Sequence, residues 1–177
     1  DTRGSDRPDE LKWLLGRGYW VRRTKAEVLP QLPAKYTRVL HCDADPQCAS
    51  TMTELHRKLD TAMAKGSKLA QTLITEMYRE TARAKTESAV QLVVSRLVDL
   101  PDPVIVFAHH RCVLDALQAG MPPTLAVARI DGGTPVHKRQ AIVDQMQSGQ
   151  LNVALLSMAA AGVGLTMTRA CTAYFVE

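Results

Sequence analysis

Three short stretches hold the residues best suited to chemistry: His109-His110-Arg111, Asp131-Gly132-Gly133-Thr134, and Ser157 to Gly164. The first offers two imidazoles and a guanidinium as donors to an anion. The second and third are rich in glycine and alanine. Without side-chain bulk, backbone N–H groups can approach a ligand closely, and phosphates are the usual target of such loops. The third stretch grows out of the apolar run Val153-Ala154-Leu155-Leu156 and leads to the polar Thr166.

Other chemistries lack a necessary part. Gly162-Val163-Gly164 has two of the three glycines of a dinucleotide fingerprint, but position 167 is Met. The acidic residue expected about 20 positions further on would lie past Glu177. There is no G-x-x-x-x-G-K-S/T phosphate loop. His109 and His110 are adjacent, so they point apart on a strand or helix. With no carboxylate partner in the pattern, donation to phosphate or a structural role is favoured over metal binding. Ser157 lacks the G-x-S-x-G setting of a nucleophile elbow and could cap the following turn. The residues complete no catalytic constellation by themselves.

The elements that position these loops follow from periodicity. Leu11, Leu14 and Leu15 predict a short helix over Asp9 to Arg17. Pro30 and Pro33 bracket a turn, and the alternation of Tyr36, Arg38 and Leu40 with Thr37, Val39 and His41 predicts a strand from Lys35 to Cys42. Pro46 opens a helical region reaching about Leu100, broken at Gly66-Ser67. Its apolar face runs through Met52, Leu55, Leu59 and Met63, then Leu69, Leu73, Ile74, Met77 and Tyr78, then Val90, Val93, Val94 and Leu97. After Pro101 the period shortens. Val104 to Ala108 predicts a strand buried on both faces, followed by a helix from Cys112 to Ala119 with Val113, Leu114 and Leu117 inward. A second strand covers Leu125 to Ile130. Thr134 is expected as the N-cap and Pro135 as the first residue of a helix that buries Ile142, Val143 and Met146 and stops at Gly149. Strands from Val153 to Leu156 and from Thr172 to Val176 complete the order.

Alternating strands and helices with short loops predict an α/β parallel sheet, in which ligands bind at the carboxyl ends of the strands. All three polar stretches fall there. The expected organisation is a basic linker over 1–45, a helical extension over 46–100 and the α/β lobe over 101–177.

Composition sets the class. An apolar fraction of 46% and a charged fraction of 23% over 177 residues are ordinary for a globular chain. No apolar run approaches the roughly 18 residues of a membrane span, and the N-terminus has no signal-peptide pattern. The four cysteines form no C-x-x-C pair and read as reduced thiols of an intracellular protein. The net charge of +4 is uneven: residues 1–100 hold 17 Lys/Arg against 13 Asp/Glu, and residues 101–177 hold 5 of each. The segment Lys12 to Arg38 suits a polyanion or serves as a solvated linker. The first residue is not Met and the last strand lacks a closing element, so the sequence reads as part of a longer protein.

Six blocks in order resemble the second RecA-like lobe of a superfamily 2 helicase of the SWI/SNF type, most of all its annealing-helicase, fork-remodelling group. They are ELKWLL (Glu10–Leu15), VRRTKAEVLPQLPAK (Val21–Lys35), ARAKTESAV (Ala82–Val90), VIVFAHHRCVLDAL (Val104–Leu117), RIDGGTP (Arg129–Pro135) and VALLSMAAAGVGLT (Val153–Thr166). Together they span essentially the whole chain.

The resemblance implies roles. His109, His110 and Arg111, in helicase motif IV, would face the DNA backbone. Gly132, Gly133 and Thr134 would hold phosphates of the tracked strand. In motif V, Ser157 and Ala159 would lie near DNA, while Gly162, Gly164 and Thr166 would face ATP between the lobes. Thr166 departs from the commoner Asn or Asp, although a hydroxyl can still bond a ribose. Arg22, Arg23, Lys25 and Lys35 would form the hinge.

ATP with Mg2+ would be held mainly by the first lobe, which carries the phosphate loop and the acidic box. Motif VI, with its arginine finger, would follow Glu177. This chain alone is therefore expected to hydrolyse no ATP. The implied partners are the first helicase lobe and DNA as duplex, fork or junction, gripped without sequence preference, with no membrane. The place of action would be the nucleus in a eukaryote and the cytoplasm in a bacterium or virus. Two rivals stay open: the second lobe of an RNA helicase, and a degenerate lobe that docks DNA or protein.

Overall fold

The computed structural model describes residues 7–18, 20–21, 23–64, 66, 69–97, 100–161 and 164–176. They fall into two compact units, residues 1–40 and 41–177.

In the first unit, α1 (Pro8–Gly16) starts on a proline, whose missing N–H costs nothing at a helix N-terminus. Its Leu11, Leu14 and Leu15 are exposed. The Arg17 guanidinium lies 4.4 Å from the centroid of the Trp13 ring, a cation–π contact. A one-turn helix, α2 (Lys25–Val28), follows, with the Thr24 N–H donating to Glu27 Oε2 at 3.1 Å. The strand expected from Lys35 to Cys42 does not form. The stretch has no regular structure, and Tyr36 and Val39 are exposed. Alternation supplies only the pattern. Without a neighbouring strand to take its hydrogen bonds, the segment gains nothing from being β.

The second unit opens with a helical hairpin. Helix α3 (Pro46–Ala64) buries Leu55 and Ala62. Helix α4 (Leu69–Leu97) buries Ala82, Ala89, Val93 and Leu97, one stripe at helical spacing. Between them Gly66 takes a φ of +59°, a conformation that favours glycine.

The sheet is four-stranded and parallel, in the order β2-β3-β1-β4, formed by β1 (Val104–Ala108), β2 (Val127–Ile130), β3 (Val153–Ser157) and β4 (Thr172–Phe175). Strand β3 is buried along its full length, as its unbroken apolar run requires. Helix α5 (Arg111–Gly120) sends Val113, Leu114 and Leu117 to one face of the sheet, where they join Val104, Val106, Leu155 and the α4 stripe. Helix α6 (Val136–Ser148) and the single turn α7 (Met158–Ala161) cover the other face. There Val143, Met146 and Ala161 pack with Ile130, Ala154 and Leu156.

Helix α1 lies one residue earlier than expected, α5 is one residue longer at each end, β3 runs one residue further and β4 stops one residue sooner. The starts of β2 and α6 also differ, each for a local reason. Strand β2 begins at Val127 rather than Leu125, because Ala126 is engaged by Asn152: its N–H donates to Asn152 Oδ1 at 2.8 Å and its carbonyl accepts the Asn152 N–H at 2.8 Å. Helix α6 begins at Val136, with Pro135 rather than Thr134 at the cap position. The Thr134 hydroxyl is used within the preceding turn instead, where it accepts the Asp131 N–H at 3.0 Å.

Candidate nucleic-acid interface

Sheet register brings the polar stretches level. Ala108 of β1 lies opposite Ser157 of β3, and Ile130 of β2 lies opposite Leu156. The chain therefore leaves β1, β2 and β3 at one edge, entering α5, α6 and α7 there. An open cavity of about 290 Å³ sits at this edge, lined by His109, Arg111, Leu114, Asp131, Gly132, Gly133 and Ser157. The amino ends of α5 and α6 lie beside it. Their first-turn N–H groups and macrodipoles add positive potential.

Each wall has a local cause. The His109 and His110 rings meet edge to face, with centroids 5.0 Å apart, and His110 is the N-cap of α5. In the loop after β2, Asp131 folds the chain on itself. Its Oδ1 accepts the Gly133 N–H at 2.9 Å, and its backbone carbonyl accepts the Thr134 N–H at 3.1 Å. A Cβ at Gly132 would meet nothing within 4 Å, which leaves that backbone open to close approach. The Gly133 N–H, then the Arg129 and Arg111 charges, hold the Asp131 carboxyl below its ordinary value, against the opposing effect of burial.

Two arginines outside the three stretches support the site. Arg129 donates from Nε to Asp131 Oδ2 at 3.0 Å and from Nη1 to Asp115 Oδ1 at 2.6 Å, which ties β2 to α5. Among the described side chains, its Nη2 is buried without a partner. Arg139 of α6 donates to three carbonyls: Thr134 at 2.8 Å, Asp131 at 3.1 Å and Ala160 at 2.8 Å. Sequence reasoning passed over Arg139, yet a signal was present. It precedes Ile142, Val143 and Met146 by three, four and seven residues, so a cation falls on the inward stripe and must find acceptors there.

The expected DNA residues thus divide. His109, Arg111, Gly132, Gly133 and Ser157 share the cavity. His110, Thr134 and Ala159 stand beside it without lining it, Ala159 exposed on α7. Of the expected ATP residues, Gly164 lines a second cavity of about 240 Å³ with Ile105, Phe107, Leu156, Ala161, Leu165 and Met167. Thr166 is exposed, and Gly162 lies outside the described residues. Of the expected hinge residues, Arg23, Lys25 and Lys35 are exposed, and Arg22 lies outside the described residues.

A parallel sheet flanked on both faces by helices, with its polar loops on the carboxyl edge, is an α/β lobe of the RecA-like kind. Residues 84–176 match the helicase conserved C-terminal domain, so the chain belongs to that family, in its SWI/SNF-type branch. The whole chain aligns with the SWI/SNF-related matrix-associated actin-dependent regulator of chromatin subfamily A-like protein 1 homolog of Caenorhabditis elegans, 32% identical over 183 residues and 26% of that protein. It also aligns over its whole length with the DNA annealing helicase and endonuclease ZRANB3 of Mus musculus, 35% identical over 183 residues and 17% of that protein. The chain therefore spans only 26% and 17% of the length of these two relatives. Among solved structures, the C-terminal part of the Fun30 ATPase domain is similar with a TM-score of 0.47 at 24% identity, over 55% of this chain and 33% of that one, too partial a likeness to argue from. No described helix is long and apolar enough to cross a membrane.

Proposed function

We propose that this chain is the C-terminal helicase lobe of an ATP-dependent double-stranded DNA translocase acting in strand annealing, fork remodelling or repair. One observation carries the DNA reading: three strand-end loops, supplied by β1, β2 and β3, meet at a single cavity edged by His109, Arg111, Gly132, Gly133 and Ser157. Imidazole, guanidinium and glycine backbone donors suit phosphate oxygens, the contacts that position a protein on DNA. His110, Thr134 and Ala159 belong to the same contact surface in this reading. Thr134 contributes by shaping the turn.

Gly162, Gly164 and Thr166 face ATP and its Mg2+, which are held mainly by the first helicase lobe. Arg22, Arg23, Lys25 and Lys35 form the hinge to that lobe. Nucleotide closes the two lobes because its γ-phosphate contacts both, giving the closed state the higher affinity. Without a phosphate loop of its own, this chain hydrolyses no ATP when isolated. The protein works inside the cell, in the nucleus of a eukaryote or the cytoplasm of a bacterium or virus.

Fluorescence anisotropy of labelled fork DNA, plain duplexes of differing sequence and duplex RNA, each titrated with this chain at several salt concentrations, tests the reading. Sequence-independent DNA binding that weakens steeply with salt supports it. RNA preference points to an RNA helicase lobe, and absence of any nucleic-acid binding removes the DNA role assigned to the cavity.

A further inference from the structure

We propose that Arg139 is a positioning residue that makes the loop after β2 and the turn α7 after β3 move as one body. The consequence for DNA rests on the function proposed above, while the coupling itself does not. Nε and Nη2 hold the Thr134 and Asp131 carbonyls, and Nη1 holds the Ala160 carbonyl. The two segments leave different strands, and Arg139 is anchored on a third element, α6. A single side chain therefore ties the segment holding Gly132-Gly133 to the segment holding Ser157-Ala159, the two groups assigned to the DNA contact surface.

The chemistry favours arginine. A guanidinium presents five donors in a planar fork, so it can serve three carbonyls at once without being deprotonated. All three acceptors are backbone atoms, so the loop side chains can differ without loss of the bridge. Arg139 is half-buried, which strengthens hydrogen bonds that water would otherwise compete for. Lysine would keep the charge but concentrate its donors on one nitrogen. It lacks the planar fork with which arginine serves all three carbonyls.

The test compares R139A and R139K by NMR-detected amide exchange in the DNA-free chain, followed by duplex-binding anisotropy. In both variants the amides of residues 131–134 and 158–161 are expected to exchange together, at least about ten-fold faster, as the loss of a charge-assisted hydrogen bond implies. The β3 amides of residues 153–156 should keep their protection, which separates loosened loops from global unfolding. Faster exchange in only one of the two segments overturns the coupling. So does full protection in R139K, which would assign the effect to charge alone. Should either variant unfold, the wild-type chain still decides: opening free energies of the two segments that agree support the coupling, and unequal ones overturn it. In the binding arm, duplex affinity should fall in R139K as it does in R139A. Affinity kept by R139K but lost by R139A would make Arg139 a direct phosphate contact and overturn the positioning role. Coupled exchange in a wild-type chain that binds no DNA would uphold the coupling and refute the function proposed for the cavity.

Discussion

Arg129 and Asp131 sit two residues apart and close on each other, Nε to Oδ2 at 3.0 Å, at the point where β2 becomes the glycine loop. The same guanidinium reaches Asp115 on α5 at 2.6 Å. Its side chain is 15% exposed, against 59% for Asp115 and 23% for Asp131. The two ion pairs are therefore unequal. Water screens Asp115 and leaves Asp131 dependent on the arginine. R129A should lower the unfolding free energy of the chain by about 1–3 kcal/mol, since it strands a partly buried carboxylate. D115N should cost under about 1 kcal/mol. Urea unfolding of both variants checks the order, and equal losses would contradict it.

Acid should act through Asp131. Its folded carboxyl titrates below the unfolded range because the Gly133 N–H and the Arg129 and Arg111 charges stabilise the anion. The proton is thus held less tightly in the folded chain than in the unfolded one. The stabilisation is complete above the unfolded carboxylate pKa near ~3.9 and disappears as pH falls through the lower folded value. Wild type should melt above D131N by a constant margin at pH 6 to 7 (round values well above that pKa), and the margin should shrink below about pH 4. A margin independent of pH would show that shape rather than charge closes the turn.

Gly149 ends α6 with φ +81°, its N–H reaching the Gln145 and Met146 carbonyls. A Cβ there would come within 2.8 Å of the Arg169 guanidinium. G149A should destabilise by about 1–3 kcal/mol, the range for a non-glycine residue held in the left-handed region. Removing the guanidinium with R169A should not rescue it, because the backbone strain remains. Thermal melts of the single and double variants decide which term dominates, and full rescue would show that the contact does.

Gly120, the last residue of α5, permits close packing on α4. A Cβ there would stand 2.6 Å from Val90 Cγ1. A β-branched side chain on a helix has few rotamers to retreat to, so G120A should destabilise by about 1–3 kcal/mol through overpacking. In a V90A background the added cost should fall. The coupling measured by a double-mutant cycle would be absent if the helices simply separated.

Arg111 lines the cavity and is exposed. R111A should weaken duplex binding for every sequence alike and reduce the slope of log affinity against log salt by about 1. An unchanged slope would remove Arg111 from the interface.

Much of the architecture was legible in the residues. The unbroken apolar run of β3, the helical stripes of α4, α5 and α6, and the glycine after Ser148 each carry a local physical meaning that neighbours do not alter. The order of strands and helices then implied a parallel sheet with its polar stretches on one edge. The run from Lys35 to Cys42 shows where this reasoning fails. Its alternation matched a strand, but a strand exists only through a partner, and pairing is not encoded in the segment itself. Thr134 shows a second limit. Its type suited a helix cap, while a competing bond to the Asp131 N–H made it part of the turn.

By itself, the sequence determined most of the elements and the placement of the three polar stretches after strands, which depend on local periodicity and residue type, and it carried the ordered blocks that resemble a helicase C-terminal lobe. Only the tertiary structure decided which loop atoms share a cavity, that Arg129 pairs with Asp131 and Asp115, and that Arg139 joins two loops from different strands. Those relations depend on sheet register and helix docking. Both are set by the burial of side chains far apart in the chain, so no short window of sequence contains them.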